Sequence, residues 1–237
     1  MFLSVIIPAY NEEKRIAKTL LAVDEYLKKQ SYQYEILVVN DGSKDKTAEV
    51  VNDLSLQITN LKLVDNKENH GKGFVVRHGM LAAEGDIRLF MDADNSTSID
   101  QVAKFLPYFS QGYDVVVGSR RAIGSVNIVK QSGIREFLGK MFRLVVHFVV
   151  PLGVEDSQAG FKAFSKKAVE TVFPKQTIFR WAFDVEILAI AKKFGFKIKE
   201  VPIAWSNDPE SHVKLGGMVK MLFEVLTVRK NLWSKKY

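Results

Sequence analysis

Arg88-Leu89-Phe90-Met91-Asp92-Ala93-Asp94 is an apolar run that ends in two carboxylates. Side chains alternate along a strand, so Asp92 and Asp94 are expected on the same side of its end. Two acids at the carboxyl end of a buried strand are costly unless a cation neutralises them. A divalent metal carrying a diphosphate does so, because hard cations take oxygen ligands and Mg²⁺ is usually shared between one or two carboxylates and substrate phosphates. The competing explanation is an Asp-rich turn capping a helix that begins near Ile99.

Working outward, 237 residues suit one large α/β domain, and 47% hydrophobic residues suffice for a sizeable core. The absence of cysteine excludes disulfides, zinc–thiolate sites and a cysteine nucleophile. Met1-Phe2-Leu3-Ser4 does not read as a signal peptide. No stretch approaches the ~20 apolar residues that cross a bilayer; the nearest, at 144–152, is shorter and contains His147. A net charge of +7 suggests phosphates, acidic lipid or nucleic acid as partners without choosing among them.

Residues 2–7 form a continuous run rich in β-branched side chains, as expected of a buried parallel strand. Pro8-Ala9-Tyr10-Asn11-Glu12-Glu13 follows, with Asn11 the expected N-cap of a helix reaching about residue 29. Further strands are expected at 35–39, 61–64, 86–91 and 114–117, separated by helices at 46–54, 74–84 and 99–109. Such alternation predicts a mostly parallel sheet flanked by helices, with ligands at the carboxyl ends of the strands. Beyond Arg121 the regularity stops. Residues 122–132 read as a mobile polar loop, 135–150 and 217–237 as amphipathic helices, 181–193 as a helix, and 197–205 as a strand interrupted by Pro202. The chain reads as a single domain with a regular half, 1–121, and a less regular half, 122–237.

The loops at the expected sheet edge carry the chemistry. Asn69-His70-Gly71-Lys72-Gly73 lacks the G-x-x-x-x-G-K-[ST] of a P-loop, and no G-x-G-x-x-G follows the first strand. The amides of Gly71 and Gly73, with Lys72, still suit a phosphate. His70 and His147 have no partner at metal-ligand spacing and are read as structural.

Taken together, Ile6-Ile7-Pro8-Ala9-Tyr10-Asn11-Glu12, Val39-Asn40-Asp41-Gly42-Ser43, Asn69-His70-Gly71-Lys72-Gly73, Met91-Asp92-Ala93-Asp94 and Gly118-Ser119-Arg120 resemble the family-2 glycosyltransferases of GT-A fold. Within these the chain is similar to the polyprenyl-phosphate branch, the dolichyl-phosphate mannose synthases and β-glucosyltransferases, over essentially its whole length. The resemblance implies that Pro8, Ala9, Tyr10, Glu12, Asp41, Gly42 and Ser43 line the nucleotide pocket. It implies that Asp92, Ala93 and Asp94 meet the donor diphosphate, the two acids through Mg²⁺ or Mn²⁺, with Gly71, Lys72 and Arg77 nearby. Arg120 and Arg135 are implied as the grip on the acceptor phosphate. Ser96 and Asp208 depart from the mannose-synthase pattern, whereas 156–162, 180–186 and 201–205 look like the glucosyltransferase branch. UDP-glucose is therefore the favoured donor and GDP-mannose the alternative.

The expected reaction is an inverting transfer of a hexose to a polyprenyl phosphate. A phosphate monoester with second pKa ~6 is already largely dianionic at neutral pH, so it needs placing by arginines more than deprotonating. A sugar-hydroxyl acceptor would need a base, for which Asp156 is the candidate; otherwise Asp156 contacts the donor sugar or the arginines. The helices at 135–150 and 217–233 suit a membrane surface, so the expected location is peripheral, at a membrane's cytoplasmic face. The alternatives are a family-2 transferase with a soluble acceptor, a sugar nucleotidyltransferase, whose Gly-rich basic loop after the first strand is missing, and a non-catalytic lipid- or RNA-binding module. Retention of both aspartates argues against the last, and no nucleic-acid partner is expected.

Overall fold

The computed structural model describes residues 1–127, 133–206 and 215–237, and the side chains of all of these except 127, 133–138 and 215–219. The expectations at 128–132, for the Arg135 side chain and for Asp208 lie outside the described residues.

In chain order the elements are β1 (Phe2–Ala9), α1 (Ile16–Leu27), β2 (Gln33–Asp41), α2 (Thr47–Ser55), β3 (Leu61–Asn66), α3 (Lys72–Ala82), β4 (Ile87–Met91), a 3₁₀ segment (Ile99–Lys104), α4 (Leu106–Ser110) and β5 (Val115–Ser119). There follow β6 (Val126–Asn127), α5 (Gly133–Val149), β7 (Phe161–Ser165), α6 (Lys166–Val172), α7 (Phe183–Lys193), β8 (Ile198–Pro202), β9 (Ala204–Trp205) and α8 (Leu215–Trp233). A seven-stranded sheet of order β3-β2-β1-β4-β7-β5-β8 forms the centre. All its pairings are parallel except those of β7, which runs antiparallel to both neighbours.

Alternation splits each strand between two cores. Leu3, Val5 and Ile7 of β1 pack with Ile16, Leu20 and Val23 of α1 on one face. Ile6 packs with Val75, Val76 and Met80 of α3 on the other, in a larger cluster that takes in α5, α7 and α8. The sheet crosses the residue 121 boundary, because β7 and β8 complete it.

Two features of this order build a cleft. β1 pairs with β4 only as far as Ile6↔Phe90, whereas it stays with β2 through Ala9↔Asn40. Beyond Ile6 the two strands part at the point where the sheet reverses its winding, which is where α/β sheets take ligands. Pro8 is tolerated there because no β4 partner is left needing its N–H. The second feature is the direction of β7. An antiparallel strand among parallel ones enters from their carboxyl edge, so residues 156–160 are delivered between the tips of β4 and β5.

Several sequence expectations are corrected. Asn11 does not cap α1: it has φ +55°, and its Oδ1 accepts from Lys44 N at 2.9 Å, tying two edge loops together. The helix expected at 99–109 is a 3₁₀ segment followed by the short α4, since Pro107 has no N–H to continue the ladder. Part of the loop expected at 122–132 is strand β6, which pairs with β9 after the chain leaves the main sheet beyond Pro202.

Candidate active site

Asp92 stands one residue past the last paired position of β4, and Asp94 two further along in a tight turn. The turn, rather than strand alternation, sets Asp94: its Oδ1 accepts from Ser96 N at 2.9 Å, Asn95 takes φ +55°, and Ala93 O accepts from Thr19 Oγ1 at 2.7 Å. The two carboxylates are neighbours in charge. Burial first, and then the Asp92 carboxylate, push Asp94 above the ordinary carboxylate range.

Lys72 opens α3 after Gly71, whose φ of +99° is open to glycine but strained for side-chain-bearing residues. The Lys72 ammonium lies 2.5 Å from Asp92 Oδ1. Burial alone would lower it, but the carboxylates of Asp92, Asp184 and Asp94 outweigh burial and hold it above the usual lysine value. From the other side a Cβ built on Gly160 would fall on the Asp92 carboxylate, so that glycine is the space in which Asp92 sits.

Arg120 follows β5 and forms a fork on Asp156. Nε and Nη2 each lie 2.7 Å from a carboxylate oxygen, and the Arg120 amide adds a third donor at 3.0 Å. Glu200 of β8 fixes the turn carrying Asp156 by accepting from the amides of Glu155 and Asp156 at 3.0 and 2.9 Å. Asp156 is 1% exposed. Burial works to raise its pKa, yet Arg120 wins and keeps it below the normal range, hence ionised. The Arg120 guanidinium also lies over the Trp205 ring, 5.3 Å from its centre.

Between these two pairs lies a third. Lys162 of β7 is fully buried, donates to Ala159 O, and meets Asp184 Oδ1 at 2.5 Å. Burial pushes Lys162 down and Asp184 up, and each opposes the other's shift. Arg120 feels both Asp92 and Asp184, and Lys162 feels Asp156, so the three pairs form one cluster of alternating charge. Lys162 and Asp184 are absent from the sequence-based candidates. Their signal was a single charge inside Phe161-Lys162-Ala163-Phe164 and inside Phe183-Asp184-Val185, both otherwise apolar.

The remaining candidates are distributed as follows. Pro8 and Ala9 are buried at the end of β1, Tyr10 is exposed beyond it, and Glu12 is paired with Arg15 at 2.7 Å. Asp41 is turned inward, accepting from the amides of His70 and Gly71 at 2.8 and 3.0 Å and from Asn69 Nδ2 at 2.9 Å. Gly42 packs on the Glu68 backbone, and Ser43 Oγ accepts from Asn11 N at 2.9 Å. Arg77 is directed elsewhere: Nε donates to Phe173 O at 2.8 Å and the guanidinium covers Phe179, because it lies more than a turn along α3 from Lys72. Only the backbone of Arg135, in the first turn of α5, is described.

A divalent cation fits this donor set in one particular way. Asp92 and Asp94 are hard oxygen donors, but among the described residues no three His, Cys, Asp or Glu side chains gather as a closed cage. Such a pair suits an ion whose remaining ligands come from a diphosphate, and does not suit a self-sufficient structural metal.

Comparison with known proteins agrees with this architecture. The model of the Glycosyl transferase family 2 family matches residues 4–173. Relatives include proteins described as dolichyl-phosphate β-glucosyltransferases, of which ALG5C of Trichomonas vaginalis is 34% identical over 100% of this chain and 74% of its own length. Among solved structures, mannosyl-3-phosphoglycerate synthase from Rubrobacter xylanophilus superposes with TM-score 0.74 at 17% identity, covering 100% of this chain and 76% of that one. Glucosyl-3-phosphoglycerate synthase from Mycobacterium tuberculosis, solved with Mn²⁺, UDP and glucosyl-3-phosphoglycerate, gives 0.67 at 20% identity over 96% of this chain and 79% of that one. These two carry the fold, the mostly parallel, helix-flanked GT-A sheet. The chain is a member of glycosyl transferase family 2.

Proposed function

We propose that this protein transfers glucose, with inversion, from UDP-glucose to a polyprenyl phosphate at a membrane surface. One observation carries the reading: antiparallel β7 brings the turn 156–160 between the tips of β4 and β5, so that Gly160 packs on Asp92 while Asp156, four residues earlier, holds Arg120 at 2.7 Å. The acidic pair at the tip of β4 suits a nucleotide diphosphate, and the Arg120–Asp156 pair lies where an acceptor phosphate would arrive. That relatives are described as dolichyl-phosphate β-glucosyltransferases supports a dolichyl-type acceptor and a glucosyl donor.

Asp92 and Asp94 would hold Mg²⁺ or Mn²⁺, which when bound neutralises charge developing on the departing diphosphate. Lys72 provides a further positive charge on the same side. Arg120 presents the acceptor, and Trp205 and Asp156 fix its orientation. Arg135 is assigned to the same phosphate through the family resemblance alone, its backbone lying in the first turn of α5. Asp156 is assigned as the anchor of Arg120 rather than a general base. A carboxylate held below its normal range is a poor proton acceptor at neutral pH, and a dianionic phosphate does not need one. Pro8, Ala9, Tyr10, Glu12, Asp41, Gly42 and Ser43 are assigned to the walls and floor of the nucleoside pocket, Asp41 acting through the loop it holds.

The lipid acceptor has to be met at a surface, since no helix among the described residues is long and apolar enough to cross a membrane. α5 exposes Met141, Leu144 and Phe148, three and four residues apart, while burying Phe142 and Val146. α8 exposes Phe223, Leu226 and Trp233 and buries Met221, Val225 and Val228. Lys140, Arg143, Lys220, Arg229 and Lys230 belong to the same two helices. An apolar outer face with basic residues suits the headgroup region of an anionic membrane. We place the protein on the cytoplasmic face.

The test is incubation of purified protein with polyprenyl phosphate, Mn²⁺ and separate nucleotide sugars, followed by mass spectrometry of the lipid. A hexosyl phospholipid from UDP-glucose is the expected product. A product only from GDP-mannose reassigns the donor, and transfer only to soluble sugars overturns the lipid acceptor.

A further inference from the structure

We propose that Lys72 is a resident counter-ion of Asp92 that makes metal binding conditional on the donor's diphosphate. The inference rests on the metal-assisted transfer proposed above and specifies how its two components enter.

Asp92 already has a cation on one oxygen, the Lys72 ammonium at 2.5 Å. On its other side the carboxylate packs against Gly160, so movement away from the ammonium in that direction is blocked. A bare divalent ion arriving at Asp92 must therefore displace the ammonium or sit against it. Both side chains are only about one-third exposed (30% and 34%), so the repulsion between like charges is weakly screened. The ammonium also has no independent carboxylate to move to: Asp184 is taken by Lys162 at 2.5 Å, and the remaining neighbour, Asp94, is the other acid the metal needs.

A nucleoside diphosphate changes this balance. Its oxygens accept the Lys72 N–H groups, and the ammonium can leave Asp92 without losing an anionic partner. Asp92 is then released to a metal that the same diphosphate helps to ligate. No bond is made or broken. By linkage, whatever factor the diphosphate adds to metal affinity the metal adds to diphosphate affinity. The expected result is a site with little affinity for the ion alone.

The test uses the full chain, Mn²⁺ and UDP, with no acceptor and no turnover, reading protein-bound Mn²⁺ by electron paramagnetic resonance against a protein-free Mn²⁺–UDP titration. Wild type should bind Mn²⁺ at least tenfold more tightly with saturating UDP than without it. Lys72→Met should bind Mn²⁺ alone at least tenfold more tightly than wild type, and the enhancement by UDP should shrink by a similar factor, to what direct ligation by the diphosphate supplies. Lys72→Gln, a polar second variant, should follow Lys72→Met, whereas Lys72→Arg should keep the wild-type coupling. Melting curves verify that all are folded. If wild type shows the UDP enhancement but both neutral variants bind the bare ion no better than wild type, the role of Lys72 is overturned and the transferase reading stands. If wild type takes up no Mn²⁺ even with UDP, both fall.

Discussion

Asp156 and Arg120 illustrate what a buried charge pair demands of its surroundings. The carboxylate is almost inaccessible and takes three donors from one residue, so removing its charge leaves a guanidinium that is only 25% exposed without the carboxylate on which it forks. Asp156→Asn should cost about 3–5 kcal/mol in urea unfolding at pH 7, the range for breaking one side of a buried pair. The pH dependence has a definite sign. Asp156 titrates lower in the folded chain than in the unfolded one, so its contribution is complete above about pH 4 and is lost as pH falls through the folded value. Wild type and Asp156→Asn should therefore converge in stability as the solution is acidified below pH 4; curves that stay parallel would remove the pair's electrostatic role. At the donor side, Asp92→Ala and Asp94→Ala should each lower kcat/KM by about 10²–10³, the scale of removing one stabiliser of transition-state charge. Normal turnover of either variant in EDTA would rule out the metal assignment. Asp92 and Arg120 could be singled out from sequence because each directly follows an apolar strand, whereas Arg135, in the first turn of α5, was named only through the family resemblance. Lys162 and Asp184 could not be singled out, since a lone charge in an apolar strand shows its cost but not its partner, here 22 positions away.

At the scale of elements, β7 decides the site. Because it runs against its neighbours, its first residue lies beside Met91, and the turn before it, with Asp156 and Gly160, is brought to the cleft. Gly160→Ala should test that placement. The added carbon falls on Asp92, and the structure has to shift the strand or the carboxylate, at a cost of about 1–3 kcal/mol for overpacking. Activity should fall by more than that loss of folding stability explains, since even a stably folded Gly160→Ala protein has Asp92 displaced; full kcat in a folded variant would show that Asp92 needs no such confinement. The strand–helix alternation through residue 121 was legible because each step is local, an apolar run followed by a helical period. The antiparallel direction of β7 was not. Phe161-Lys162-Ala163-Phe164-Ser165 is buried between two strands, and such a strand carries no local mark of direction. The pairing of β6 with β9 was hidden for a related reason: two-residue strands have no periodicity to read.

At the scale of the whole molecule, α5 and α8 lie side by side, and each presents a second apolar stripe opposite the one packed on the sheet. Residues on such an outer face contribute nothing to the core, so the stripe is explained by what it meets. Phe148 is 80% exposed and Trp233 78% exposed, and each can insert a large ring into a headgroup region without any change of fold. Full burial of such a side chain is worth about 1.5–3 kcal/mol, and insertion to about half depth gives on the order of 1 kcal/mol each. Replacing both by serine should therefore weaken binding to anionic vesicles about thirtyfold, with roughly 1.4 kcal/mol for each factor of ten. Surface substitutions of this kind leave stability within about 0.5 kcal/mol, so the melting temperature serves as the control. Raising ionic strength should weaken the wild type further, because the lysines and arginines of the two helices act through a screened attraction. Kinetics separate docking from chemistry. With acceptor embedded in vesicles the double variant should show a raised KM and an unchanged kcat, and with a short-chain polyprenyl phosphate in solution it should match wild type in both. Equal flotation of variant and wild type at low salt would show that the stripe faces something other than a membrane.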